Sequence, residues 1–203
     1  EEEITAAGGI ARGMQVDVAS ETEVTRFFNT IIEDTGRIDV LVNNAARDDR
    51  HDWKDVTPEY WDERFHVNLR HQFFAAQAAA PQMEGAGGGS IINIGTLGTT
   101  ALQAKNSQYT STKLAMVAMS KTMAREMGRQ NVRVNIVTPG FTTGEGLTAL
   151  FENMGKSAGI SGEAMGEKVA ETTELKRHVD PEDIAEACLY LGSDRARNVT
   201  GVE

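Results

Sequence analysis

Two side chains in this sequence are spaced to do acid–base chemistry together: Tyr109 and Lys113, in the run Tyr-Thr-Ser-Thr-Lys. On a helix, residues four apart stand on one face, one turn above the other. An ammonium held beside a phenol favours the phenolate, and so lowers a pKa that is about 10 in a free tyrosine. Such a pair exchanges a proton near neutral pH, which hydride transfer at a carbonyl or carbinol carbon requires of a neighbouring group. The spacing alone is common, and a solvated helix face is its ordinary explanation. Its meaning depends on the elements that position it.

Those elements alternate. Glu1–Ala7 reads as the end of a helix stopped by Gly8-Gly9. Met14–Val18 is expected as a short strand. Ser20 can cap the next helix, with Glu23 placed for a capping box. Val24, Phe27, Phe28, Ile31 and Ile32 then recur at helical spacing up to Gly36. Ile38–Val42 is a continuous apolar run, the kind buried on both faces of a parallel sheet. Thr57-Pro58-Glu59 opens a long helical region, whole or broken, to about Gln82. Ser90–Gly95 is a strand, Tyr109–Gly128 a helix, and Val132–Val137 a strand stopped by Pro139-Gly140. Residues 141–176 have a weaker pattern and read as a mobile, substrate-covering segment with one or two short helices. Asp180 is placed to cap a last amphipathic helix through Leu191. The alternation predicts one α/β domain over residues 1–203.

Composition narrows the partners. The 203 residues carry a net charge of −10, which argues against nucleic acid and against an anionic membrane surface. No apolar run approaches the roughly 20 residues of a membrane span. The lone Cys188 falls within an apolar helical pattern and reads as a buried thiol, which leaves a cytoplasmic location as the default. His51, His66 and His71 have no ligand spacing and are expected as surface or helix-packing groups, so no metal site is expected.

In an open α/β sheet, ligands bind beyond the carboxyl ends of the strands. Polar and small residues collect at those ends: Asp17 after the first expected strand, Asn43-Asn44-Ala45 after the second, Gly95-Thr96 after the third and Pro139-Gly140 after the fourth. Each alone reads as a turn. Four in order, with the Tyr/Lys helix following the third, read as one site.

These residues resemble the short-chain dehydrogenase/reductase family over essentially the whole chain. The resemblance rests on Asp17-Val18, Leu41-Val42-Asn43-Asn44-Ala45, Val67-Asn68, Ile92-Asn93-Ile94-Gly95-Thr96, Tyr109/Lys113, Arg133-Val134-Asn135, Pro139-Gly140, the run from Asp180 to Ala185, and Val199-Thr200-Gly201. It implies a Rossmann-like doubly wound parallel sheet with helices on both faces. It implies Tyr109 as proton donor and acceptor, with Lys113 lowering its pKa and holding the nicotinamide ribose. Thr96 would orient the substrate oxygen, and Asn68 would hold a water linking Lys113 to solvent. Asp17 and Val18 would meet the adenine, Asn43 and Ala45 the adenosine side, and Pro139, Gly140 and Thr142 the nicotinamide. The implied cofactor is NAD or NADP, the substrate a small alcohol or carbonyl compound, and the assembly a homo-oligomer, dimer or tetramer.

Three departures from the family pattern stand out. Asn-Asn-Ala-Gly is Asn43-Asn44-Ala45-Ala46 here, and the usual Ser-Ser is Gly95-Thr96, which keeps the hydroxyl in register. No strand–Gly-rich turn–helix occurs, and Gly85–Gly89 precedes a strand rather than opening a helix. The expected sheet is therefore incomplete at both ends, with an apolar edge exposed at Ile38–Val42, and the biological polypeptide is expected to be longer. The loop Arg47-Asp48-Asp49-Arg50-His51, continued by Asn68–Phe74, resembles the sugar 1-dehydrogenases of the family. That likeness points to a sugar or polyol substrate, while a solvated charged loop is the other reading of the same residues. The expected function is an NAD(P)-dependent oxidoreductase. The alternative is a non-catalytic member that uses the scaffold for binding or assembly.

Overall fold

A computed structural model describes residues 1–203. Three parallel strands, β1 (Val40–Asn43), β2 (Gly89–Ile94) and β3 (Val132–Val137), form one sheet in the order β1-β2-β3. Eight helices surround it: α1 (Glu2–Ala6), α2 (Glu21–Thr35), α3 (Pro58–Phe65), α4 (His71–Gly85), α5 (Ser107–Met127), α6 (Glu145–Ala158), α7 (Gly162–Ala170) and α8 (Pro181–Gly192).

The helix punctuation follows local chemistry. Ser20 Oγ accepts from Glu23 N at 3.4 Å, and Gly36 closes α2 in the left-handed region at φ 71°. Only half of the capping box forms, because the Glu23 carboxylate accepts from Asp17 N (2.8 Å) instead of Ser20 N. Thr57 caps α3 through Tyr60 N with Pro58 in the first turn, where its missing N–H costs nothing. Asp180 does not cap α8. Its carboxylate accepts from Thr143 Oγ1 (3.0 Å) and so ties the start of α8 to the loop after β3.

The expected strand Met14–Val18 is not one. Residues 8–19 lack ladder hydrogen bonds, and a strand without a paired neighbour has nothing to hold its backbone extended. The other three strands lie within two residues of their expected bounds.

Side-chain alternation along β2 divides the core. Ile91 faces the layer made by Val24 and Phe28 of α2, Ala75, Ala76, Ala79 and Met83 of α4, and Met123 and Ala124 of α5. Ile92 and Ile94 pack in a second cluster with Leu191 of α8 and Ala196. Helices therefore cover both faces, as in a doubly wound Rossmann-like sheet. The edge of β1 is open: Val40 and Val42 remain 42% and 44% exposed beside Leu189 of α8. The far edge of β3 is partly sealed by residues 199–203, through Gly201 N to Val134 O (2.8 Å) and Ile136 N to Val202 O (2.9 Å).

The segment 141–176 holds the two helices α6 and α7 packed on each other. Gly155 and Gly162 permit that contact, since a Cβ at either would lie about 3 Å or less from the facing backbone. Phe141, Phe151 and His178 stack at ring separations of 5.1–6.3 Å and hold the pair against the bridge Thr142–Val179.

Candidate active site

The site begins with a buried amide ladder across the sheet. Asn43 Nδ2 donates to Asn93 Oδ1 (2.8 Å), Asn93 Nδ2 donates to Ser120 Oγ (2.8 Å), and Ser120 Oγ donates to Met116 O (2.7 Å). These bonds join β1, β2 and α5, so the strand ends and the Tyr/Lys helix are held in one register. Asn43 commits one Nδ2 hydrogen here, which fixes the orientation of its buried amide. Ala45 and Ala46 follow as small exposed residues, and Ala46 has no positive φ, so alanine fits where the family pattern has glycine.

The helical region after β1 is broken at Asn68. His66–Arg70 forms a π-helical turn between α3 and α4, a distortion that turns Asn68 inward to full burial. Asn68 Oδ1 accepts from Arg47 N (2.8 Å), and its Nδ2 donates to Arg47 O (3.0 Å). The amide pins the loop after β1. Each bond uses one of the two donors or two lone pairs of the amide, so its hydrogen-bonding capacity is half committed to this loop.

At the end of β2, Gly95 is required by packing: a Cβ there would meet Thr138 Oγ1 at 2.7 Å. Thr96 Oγ1 accepts from Gly98 N (3.1 Å) and lies close enough to the Tyr109 phenol to lower its pKa by hydrogen bonding. Tyr109 and Lys113 are both buried on α5, with Lys113 Nζ 5.8 Å from the Tyr109 ring centre and donating to Ile94 O (2.7 Å). Burial lowers the Lys113 pKa to about 8, against which the charge of Asp48 pulls it up. Tyr109 departs from expectation. Its pKa is raised, first by burial and then by the negative charge of Asp48, with Thr96 and Arg50 acting in the opposite direction. The apolar surroundings and the nearby carboxylate outweigh the lowering by Thr96 and Arg50.

Thr96 opens on a cavity of about 580 Å³, lined also by Asp48, Arg50, Gln103, Asn106, Gly140 and Thr142 and roofed by Leu147, Leu150 and Asn153 of α6. Pro139 O accepts from Leu97 N (3.0 Å), which joins the ends of β2 and β3 at the cavity floor. Asp17 and Val18 are not part of this cavity. Val18 lines a smaller one of about 330 Å³ between α2 and α4, and the exposed Asp17 carboxylate accepts from Ala19 N (2.9 Å).

Residues outside the sequence motifs complete the site. Arg64, fully buried on α3, donates to Asp49 Oδ1 (2.9 Å), pairs with Glu63 (2.7 Å) and lies 5.0 Å from the Tyr60 ring centre. Gln108 Nε2 donates to Asp49 O (3.0 Å), and Lys105 O accepts from His51 N (3.0 Å). The charged loop is thereby bolted to the start of α5. Nothing in the spacing of Arg64 or Gln108 announced this, since each works through a partner far away in sequence.

A family profile described as enoyl-(acyl carrier protein) reductase matches residues 1–203. The chain is 36% identical over 173 residues to a D-xylose 1-dehydrogenase of Caulobacter vibrioides, covering 85% of this chain and 66% of that protein. It is 34% identical over 187 residues to a protein of Rhizobium meliloti named "Probable galactose dehydrogenase", covering 92% and 70%. Among solved structures, the L-sorbose reductase of Gluconobacter frateurii, complexed with NADPH and L-sorbose, superposes with a TM-score of 0.90 at 27% identity, over 98% of this chain and 76% of that one. With its parallel sheet, its Thr96/Tyr109/Lys113 constellation and these matches, the chain belongs to the short-chain dehydrogenase/reductase family of NAD(P)-dependent oxidoreductases, which interconvert alcohols and carbonyl compounds.

Proposed function

We propose that the protein oxidises a sugar or similar polyol at one carbinol carbon, or reduces the corresponding carbonyl. The observation that carries this reading is the meeting of Thr96, Tyr109 and Lys113 beside a cavity whose loop side is polar and charged. D-xylose 1-dehydrogenase among the relatives and the sorbose-bound neighbour agree with it.

The residues fit a nicotinamide cofactor at the reacting end. Lys113 has three ammonium donors and uses one on Ile94 O, so others are available for ribose hydroxyls. Pro139, Gly140 and Thr142 would flank the nicotinamide, Ala45 and the backbone of Asn43 the adenosine side, and Asp17 and Val18 the adenine. Bound NAD(P)⁺ supplies the hydride acceptor.

The remaining work belongs to side chains. The Thr96 hydroxyl holds the substrate oxygen beside the Tyr109 Oη. Tyr109 takes the hydroxyl proton during oxidation and returns it during reduction. Lys113, charged below about pH 8, stabilises the phenolate that results. Because burial and Asp48 raise the Tyr109 pKa, oxidation quickens as pH rises and reduction is favoured toward neutral pH. The α6–α7 pair is read as a cover that opens for exchange.

The face formed by α4 and α5, with Phe73 and Leu114 exposed, is read as the contact between copies in a dimer or tetramer. A cytoplasmic location is read from the acidic charge and the free Cys188. No helix is long and apolar enough to cross a membrane.

Tyr109→Phe tests the assignment. We expect kcat to fall about 10²–10⁴-fold, the ordinary worth of a positioned acid–base group, while NADH or NADPH still binds by fluorescence titration. An unimpaired rate would refute it.

A further inference from the structure

The loop after β1 carries two adjacent acids with opposite fates. Asp49 turns to the buried Arg64 and is held there. Asp48 turns to the cavity, leaving 41% of its side chain open, with Arg50 Nη2 at 3.8 Å from Oδ2. Arg50 is itself steadied by Gln103 Oε1 at 2.5 Å. Beside Asp48 stands Asn106, at the N-cap position of α5 and three residues before Tyr109. Burial raises the Asp48 pKa, and the Asn106 side chain is close enough to the carboxylate to lower it by hydrogen bonding. Asn106 caps nothing: its side chain makes no hydrogen bond to the helix, and its Oδ1 is buried without a donor. Asn106 is 4% exposed.

A buried carbonyl oxygen without a donor is costly, and so is a half-enclosed carboxylate placed where it opposes the Tyr109 phenolate. A ligand that brings hydrogen-bond donors relieves the second cost directly and the first once the Asn106 amide turns into the cavity. An acyl chain or a fused hydrocarbon ring system brings none, and would strip water from both acceptors while adding no partner to the Arg50 contact of Asp48. A polyol brings one hydroxyl on each carbon beside the reacting one. Arg50 adds a donor for an oxygen on the same side.

We propose that Asp48 and Asn106, with Arg50 positioning the carboxylate, bind the hydroxyl groups adjacent to the reacting carbinol, and that vicinal hydroxyls are what this site selects. The inference rests on the dehydrogenase reading above and deepens it by naming the feature of the substrate that is recognised. Asp48 acts as a specificity residue; the proton moves through Tyr109.

The test compares two alcohols that share a ring, cyclohexanol and trans-cyclohexane-1,2-diol, with the protein and its cofactor. We expect kcat/KM to favour the diol by at least about 30-fold, a floor set well below the roughly 10⁴-fold of a fully enclosed hydroxyl site because Asp48 is half open to solvent. In Asp48→Ala the ratio should fall to about threefold or less, mainly through KM for the diol, and the isosteric Asp48→Asn should fall between. Using the ratio cancels any effect of Asp48 on Tyr109, which both substrates share. Calorimetric binding of 1,5-anhydroglucitol, which keeps the vicinal hydroxyls but lacks the anomeric one, should weaken in Asp48→Ala in parallel. Equal kcat/KM for the two alcohols in the unsubstituted protein, or an unchanged ratio in Asp48→Ala, would overturn the inference and leave the dehydrogenase reading standing. Turnover of neither, nor of any aldose, would remove that reading and this inference with it.

Discussion

At the scale of single residues, burial sets the behaviour of the ionisable groups. His71 sits at the start of α4 with its pKa lowered to about 4, by burial first and by the charge of Lys113 second. The folded state therefore binds fewer protons than the unfolded chain between pH 6.5 and 4. Stability falls as pH drops through that window, by about 3 kcal/mol in total. Urea unfolding at pH 7 and pH 4.5 should show the loss, and His71→Leu should reduce its size. A slope unchanged by that substitution would mean that other groups carry the acid sensitivity. Tyr109 and Lys113 were legible as a pair because helical spacing is a local property. Their electrostatics were not. The raised Tyr109 pKa comes first from burial and then from Asp48, which the fold brings in from 61 positions away. Asn106 escaped notice because an Asn ahead of a helix reads as a cap, and only the folded geometry leaves it uncapped and facing a cavity.

At the scale of elements, the connections that aim the site are the testable part. Arg64 joins α3 to the loop after β1 from a fully buried position. Arg64→Ala empties a buried space and removes the tie between α3 and the loop, while Asp49 and Glu63 stay open to water, so it should cost roughly 2–4 kcal/mol by denaturant unfolding. Asp49→Asn should cost less, because Glu63 still pairs with Arg64 at 2.7 Å. Equal losses would show that Glu63 gives no compensation. Between β2 and β3, Gly95→Ala forces a methyl against Thr138 Oγ1 at 2.7 Å. We expect a loss of about 1–3 kcal/mol, recovered in part by Thr138→Ala. The strand and helix order from Ile38 onward follows the sequence pattern, since alternating apolar runs and Gly, Pro and Ser punctuation are local signals. Met14–Val18 fails as a strand because a strand is made by its neighbours, and its pattern cannot supply them. The π-turn at Asn68 was also invisible: Val67-Asn68-Leu69 has ordinary helical composition, and the extra residue in the turn appears only when Asn68 must reach Arg47.

At the scale of the whole molecule, the two faces of the sheet are unequally finished. One is covered by α2, α4 and α5, while the other has α8 with an apolar surface continuing over Val40, Val42, Cys188 and Leu189. An open parallel edge beside apolar side chains is a template for association. Solutions of the protein should scatter light increasingly with concentration, and Val42→Lys should suppress that rise. A concentration-independent monomer would show that the edge is protected in solution. The α/β class with a parallel sheet was readable from the strand–helix alternation, because it requires only the order of elements, and the doubly wound form came with the family resemblance. The sugar-dehydrogenase likeness of the charged loop was readable too. The division of labour within it came from tertiary partners alone.

That division has a consequence for how the protein can change. Asp49 and Arg64 anchor the loop from below, and Gln108 and Lys105 fasten it from the side, while Asp48 and Arg50 hang free of those fastenings at the rim. Folding and selectivity are thus written in alternate letters of one short segment. A lineage, or a combinatorial library, could rewrite positions 48, 50 and 103 to suit another substrate without loosening the bolts beneath them. Drift at 49 or 64 would be felt first as instability, and a new preference would have little chance to show.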